Sequence, residues 1–252
     1  MAFFTGCQTI TFGDALHKEN IESVFDAVSA AGFDGVEMGF FRLDPEKGLE
    51  YRKMLDARKL QLAAIHVGGN ILDLDSQNAQ MDNLDLVIRL VQQMGGSQVF
   101  LSGNRVESYK DQAARYDELG KRVEAAGLTL CYHNHEWEIE DNCAGLDMLL
   151  EGAKHMSLVL DVGWVNQGGC DPVKVVKDYA ERLRHVHFKE FTADGGFAEL
   201  GTGIVDFKGV YDTIKSRNDD MWIVAEQDQS KKGAVASVKD NADFIKGLLA
   251  KG

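Results

Sequence analysis

The chain reads as a single-domain α/β protein, a (β/α)8 barrel occupying residues 1–252. Three observations carry that reading. Short apolar runs alternate with amphipathic stretches, the order that produces parallel strand pairing. Eight such units fit into 252 residues, close to the roughly 250 typical of a closed barrel. Successive runs in the C-terminal half also end on a carboxylate or imidazole, as barrel strands do when their tips build a site.

Taken in order, the strand candidates fall at residues 6–10, 34–38, 61–66, 98–102, 128–134, 157–161, 184–188 and 221–226. Between them, Ile21, Val24, Phe25 and Val28 recur at i, i+3, i+4 and i+7, which stacks them on one helix face. Leu84, Val87, Ile88 and Val91 repeat that spacing, and Val238, Ala242, Ile245 and Leu249 line another face. AAGFDGVEMG, QMGGSQVFLSG and AAGLTLCYHN place glycine where each helix must stop before a strand. No GxGxxG follows the first strand and no low-complexity linker divides the chain, which disfavours an open dinucleotide-binding sheet or a second domain.

Composition narrows the function. With 27 Lys and Arg against 40 Asp and Glu, a net charge of −13 argues against a groove that tracks nucleic-acid phosphates. A small-molecule partner is expected, and the few basic residues near the proposed mouth favour an unphosphorylated one without fixing it. The four cysteines, Cys7, Cys131, Cys143 and Cys170, show no CxxC spacing and suggest neither a zinc ribbon nor a disulfide framework. The opening MAFFTGCQTITF lacks a basic leader, and no run approaches about 18 apolar residues, so no membrane association and a cytoplasmic location are expected.

The runs Leu128–Glu138, Ser157–Asp161, Arg184–His187 and Met221–Glu226 close on Glu138, Asp161, His187 and Glu226. Strand side chains alternate, so with Leu158, Leu160, Ile223 and Ala225 facing the helices, Asp161 and Glu226 point inward. An ionised carboxylate there costs several kcal/mol unless it is paired. A salt bridge is the plain alternative to a cation. In the HVH segment His185 and His187 share the inward face, with Lys189 continuing the parity; His187 is the outermost imidazole and His185 a deeper supporting group. On the fifth run, spacing leaves Glu136, Glu138 and Glu140 open as the first carboxylate.

The segments YHNHEWE, LDVGW, HVHFKE, ELGTGIVDF and VAEQD together resemble the sugar phosphate isomerase/epimerase superfamily of xylose-isomerase-like TIM barrels. The resemblance runs from GFDGVEM to VAEQD. It implies that Glu138, Asp161, His187 and Glu226 bind one divalent ion, with Mn2+ expected first and Mg2+, Co2+ or Zn2+ as other candidates. It further implies a ketose isomerase or epimerase, with Glu138 and Glu226 as the proton-transferring pair and a metal-stabilised enediolate. The alternative is a lyase like inosose dehydratase, eliminating water from a keto-inositol or keto-sugar. An endonuclease IV-like DNA hydrolase and a non-catalytic sugar-binding barrel rank below these. A homodimer or homotetramer is the assembly the superfamily suggests.

Other polar strand ends expected to line the mouth and contact a sugar or cyclitol are His66, His133, Lys189 and Glu37, with Gln8 beside them. Glu37 is alternatively a partner for Lys189 or Arg42. Trp164, three residues after Asp161, offers a flat face for a sugar ring, where epimerases of the superfamily carry a histidine. Phe40 and Phe41 suggest a hydrophobic wall or a subunit contact, and Asp206 suggests a helix N-cap.

Overall fold

The computed structural model describes residues 2–68, 77–217 and 219–251. Strands β1 (Phe3–Gln8), β2 (Gly35–Gly39), β3 (Gln61–Gly68), β4 (Gln98–Ser102), β5 (Thr129–His133), β6 (Ser157–Asp161), β7 (Leu183–Phe188) and β10 (Met221–Ala225) close into a parallel barrel of that cyclic order. A short antiparallel pair, β8 (Glu190–Phe191) and β9 (Phe197–Ala198), rises from the end of β7. The helices are α1 (Gly13–Ala31), α2 (Gly48–Ala57), α3 (Gln77–Met94), α4 (Tyr109–Ala125), α5 (Glu136–Gly152), α6 (Val162–Gln167), α7 (Pro172–Asp178), α8 (Phe207–Ile214) and α9 (Ala234–Leu249). The fold is the (β/α)8 barrel that the alternating pattern predicts.

The core has two layers, as strand parity requires. Val24, Phe25 and Val28 of α1, Leu84, Val87 and Val91 of α3, and Val238, Ala242 and Ile245 of α9 are buried against the outward-facing side chains, among them Leu158, Leu160, Ile223 and Ala225. Burying each leucine here contributes about 2 kcal/mol. Inside the barrel, Ala64, Phe100, Cys131 and Val159 make a separate small plug. The Phe100 ring meets His185 edge-on at 4.8 Å, and above this level the barrel interior becomes polar. Helix-to-strand turns use glycine with positive φ at Gly32, Gly95 and Gly127, a geometry that side chains with a Cβ resist.

Two elements depart from the sequence expectation. The first strand lies at Phe3–Gln8 rather than 6–10, because the Gln8 side chain accepts the Ile10 N–H at 2.6 Å and turns Thr9–Phe12 into a 3-10 helix. The fifth strand stops at His133. His135 is the N-cap of α5, and Glu138, three residues on, reaches back to accept the His135 backbone N–H at 2.8 Å, a reciprocal capping box. LTLCYHNHEWE is therefore a strand followed by a helix start.

α5 is itself interrupted. Glu140 is extended (φ −48°, ψ 155°), and Asp141, Asn142 and Cys143 follow with φ of 54°, 58° and 68°. Left-handed conformation costs non-glycine residues about 1–2 kcal/mol each, so packing of the surrounding segment must hold this turn.

Beyond β7 the chain is fixed by one carboxylate. Glu190 Oε1 accepts backbone N–H groups from Phe191 (3.0 Å), Ile204 (3.0 Å) and Val205 (3.1 Å), and Oε2 accepts Gly201 N–H at 3.3 Å. Asn241 of α9 accepts Leu200 N–H at 2.8 Å, and Asp206 caps α8 by accepting Gly209 N–H at 2.9 Å. Among the described residues no helix is long and apolar enough to cross a membrane.

Glu190→Ala strips the acceptor from the buried N–H groups of Phe191 and Val205 and from the part-buried Gly201 N–H. It should lower the unfolding free energy by about 3 kcal/mol, read by urea denaturation. Glu190→Gln, which keeps one acceptor oxygen, should lose less.

Candidate metal centre

Parallel pairing in register sets the tips of four strands side by side. Asp161 of β6 pairs with His187 of β7, and His187 lies against Val224 of β10, one strand position short of Ala225 and the following Glu226. His133 closes β5 on the other flank of Asp161. Single donor atoms of His133, Asp161, His187 and Glu226 all lie within 4.8 Å of one another, and all four side chains are buried.

Glu226 is the hub. Its Oε2 lies 2.6 Å from His187 Nδ1 and 3.4 Å from His133 Nε2, and its Oε1 accepts from Lys189 Nζ at 2.9 Å. Burial opposes ionisation, yet Lys189 and the two imidazoles hold the Glu226 carboxyl well below the usual range. Burial likewise opposes a charge on His187, but Glu37 and Glu226 raise its pKa to about 10. Lys189 is raised too, against burial, by Glu226, Asp161 and Asp228. It also accepts no freedom to swing: Asp228 binds it at 3.2 Å, and its ammonium sits 4.7 Å from the centre of the Trp164 ring.

A second tier supports the first. Glu37 Oε2 lies 2.6 Å from His187 Nε2, which leaves Nδ1 facing Glu226 and the quartet. The other Glu37 oxygen meets His66 Nδ1 at 3.2 Å, and His66 Nε2 meets Ser102 Oγ at 3.0 Å. Burial works against the Glu37 charge, but His187 and His66 bring its pKa down to about 2. A carboxylate behind a ligating imidazole fixes ring orientation and raises its basicity.

The donor set fits a divalent ion on its own chemistry. Neither nitrogen of His133 makes a hydrogen bond, nor does Asp161 Oδ2, although all are buried. Buried polar atoms without hydrogen-bond partners are uncommon, and two of these, His133 Nε2 and Asp161 Oδ2, lie 3.6 Å apart. Two imidazoles and two carboxylates at such separations match the ligands of a borderline dication.

Glu138, expected as a ligand and proton-transferring group, is set apart from Asp161, His187 and Glu226. Its carboxylate accepts from the Tyr132 hydroxyl at 2.8 Å and from the His135 N–H, lies outside the quartet, and does not line the cleft above it. The physical reason is the helix start: residue N3 of α5 turns back on its own cap. His133, expected only as a substrate contact, occupies the place in the quartet. Strand parity held the signal, because Cys131 faces the inner plug and His133 must share that face. His185 is buried between Phe100 and Trp222 and reaches no other group of the site by hydrogen bond.

Above the quartet opens a cleft of about 220 Å³. His66, His133, Trp164, Lys189 and Gln8 line it; Glu37 is buried beneath rather than exposed to it. Glu37 pairs with neither Lys189 nor Arg42, since Arg42 binds Asp14 at 2.8 Å. Phe41, half-exposed, lines the cleft as the wall suggested by the sequence, while Phe40 is buried. Sequence reasoning missed Asp228, Ser102 and His135, which also line it. His135 stacks on Trp137 at 4.3 Å, and burial, then His133 and Lys189, lower its pKa to about 2. Trp164 packs with Phe191 and Phe197 of the β8–β9 pair at 4.9 and 6.1 Å, an apolar roof over Lys189.

A family model described as "Xylose isomerase-like TIM barrel" matches residues 25–248. The chain belongs to the xylose isomerase-like TIM barrel family. Within it, the chain is 25% identical to inosose dehydratase from Lacticaseibacillus casei, over 86% of each chain. Among solved structures it superposes on an L-ribulose 3-epimerase with a TM-score of 0.79 at 20% identity, covering 99% of this chain and 95% of that one. It also superposes on the IolI protein with a bound zinc atom, with a TM-score of 0.80 at 14% identity over 98% of both chains. These family relatives are enzymes, and the structural likenesses establish the shared barrel.

Two outcomes follow from the geometry. His133→Ala and Asp161→Asn should each weaken Mn2+ or Zn2+ binding by more than about 100-fold in calorimetric titration, beyond the loss expected for an outer partner, while Glu138→Gln leaves it unchanged. Burial, against hydrogen bonds from His135 and Tyr132, raises the Glu138 carboxyl from 4.5 to about 7. The folded state thus binds that proton more tightly than the unfolded chain. The stability it confers is full below pH 4.5 and lost as pH rises through 7, about 3 kcal/mol in all. Relative to wild type, Glu138→Gln should gain stability by that order between pH 4.5 and 7.5 in denaturant melts.

Proposed function

We propose that this protein, with a divalent ion held by His133, Asp161, His187 and Glu226, removes the proton beside the carbonyl of a keto-sugar or keto-cyclitol. The β-hydroxyl then leaves as water. The observation that carries this reading is the 2.9 Å contact between Lys189 Nζ and Glu226 Oε1 at the floor of the cleft.

A divalent ion held by His133, Asp161, His187 and Glu226, with Mn2+, Co2+ or Zn2+ suiting two imidazoles ahead of Mg2+, would supply positive charge to offset a developing negative oxygen. The residues supply the rest. Glu226 is the base that takes the proton from carbon. The Lys189 ammonium gives a proton to the departing hydroxyl, so a C–H and a C–O bond break, a C=C bond forms, and water is released. Glu226 then carries a proton and Lys189 lacks one. Their shared hydrogen bond returns that proton in a single transfer and restores the starting pair. Trp164, Phe191 and Phe197 exclude solvent from the ammonium, which strengthens each of these interactions.

Elimination is favoured over a two-base epimerisation by the position of Glu138. Returning a proton to the opposite face of the same carbon needs a second transfer group, and the carboxylate expected for that role lies outside the cleft. The matching curated relatives, inosose dehydratases across 86% of each chain in the case of Lacticaseibacillus casei, support the same choice. Ketose isomerisation or epimerisation is the second reading, because His66 and His135 line the cleft and offer imidazoles for a returning proton. Both readings share the first step.

Incubation of the Mn2+-loaded protein with ketoses and inososes in D2O separates them. An unsaturated, ultraviolet-absorbing product supports elimination; deuterium at an isomerised or epimerised carbon with no unsaturation overturns it. Lys189→Met should cut product formation by about 10²–10⁴-fold while exchange of the substrate C–H with D2O persists, followed by NMR. Loss of both together assigns Lys189 to binding alone.

A further inference from the structure

On the flank of the barrel, away from the ligand quartet, Cys143 Sγ and Cys170 Sγ lie 3.9 Å apart, both as free thiols. We propose that they form an oxidisable dithiol, a modification site that closes to a disulfide on reaction with hydrogen peroxide.

Placement makes the pair reactive together. Cys143 ends the left-handed run Asp141–Asn142–Cys143 that interrupts α5, and Cys170 follows the turn after α6. Two segments distant in sequence are thus brought sulfur to sulfur. The remaining gap to a bond of about 2.05 Å is within reach of side-chain rotation and a small shift of a segment that is already non-helical. Cys143 is buried and Cys170 half-buried, and both border an open cleft of about 450 Å³ with Asn142, Asp147, Lys174 and Tyr179. Cys7 and Cys131 differ: both are fully buried, burial raises their pKa values, and their thiols donate to the Gln8 carbonyl and the Gln98 side chain.

Cys143 is buried whereas Cys170 is partly open to the cleft, so Cys170 is the first nucleophile. Its thiolate attacks one peroxide oxygen, the O–O bond breaks, and a sulfenic acid forms at Cys170 as hydroxide leaves and is protonated. The Cys143 sulfur then attacks the Cys170 sulfur, the S–O bond breaks, and the hydroxyl departs as water with the Cys143 proton. Two thiols lose two electrons and one peroxide becomes two waters. The new bond fastens the segments that follow β5 and β6, the strands ending at His133 and Asp161.

The test treats the intact wild-type protein with hydrogen peroxide, alkylates it under denaturing conditions and maps it by mass spectrometry without reduction. The expected result is a peptide pair joining Cys143 to Cys170, two hydrogens lighter than the sum of its parts, with Cys7 and Cys131 recovered as alkylated thiols. The pair should disappear in Cys143→Ser and in Cys170→Ser. Recovery of Cys143 and Cys170 as alkylated thiols, as unbridged sulfinic acids, or bridged to other cysteines overturns the proposal.

Discussion

The constraint on which the site depends is the burial of Glu37, Asp161 and Glu226 at one level of the barrel interior. Three carboxylates away from water cannot stay ionised alone, and removing one partner of such a group costs more than the pairing gains. The chain answers with Lys189 and the imidazoles of His133 and His187, each within 4 Å of a carboxylate oxygen. Everything nearby serves that arrangement: the Phe100 plug beneath, Glu37 behind His187, and the aromatic roof above Lys189.

Most of this was legible in the residues. Alternation of apolar runs with helical periodicity identifies the barrel, because inward and outward faces have different partners and the period of two records it. The same parity places Asp161, His187 and Glu226 at the inner rim. What parity alone does not record is where a strand yields to a helix. Glu138 looks like a strand end until His135 is recognised as a cap, and a histidine cap lies outside the usual Ser, Thr, Asp and Asn signals. Asp228 was hidden for a related reason: it lies beyond β10, where loop geometry rather than strand register turns it toward Lys189. Pairings such as Glu37 with His187, 150 residues apart, depend on barrel closure and have no local trace.

That His133, rather than Glu138, gathers with Asp161, His187 and Glu226 changes the charge assembled there. A quartet with three carboxylates carries one more negative charge than the one found. Two carboxylates in the quartet match the charge of one dication, while the Lys189 ammonium is held between Glu226 and Asp228.

The quartet draws on β5, β6, β7 and the end of β10 alone, one continuous arc of the barrel wall. The opposite arc, β1 to β4, contributes Gln8, His66 and Ser102 to the cleft but no member of the quartet. The quartet is thus rooted in the second half of the chain, while the walls of the cleft above it are drawn from both halves, so any molecule seated there is gripped by segments far apart in sequence.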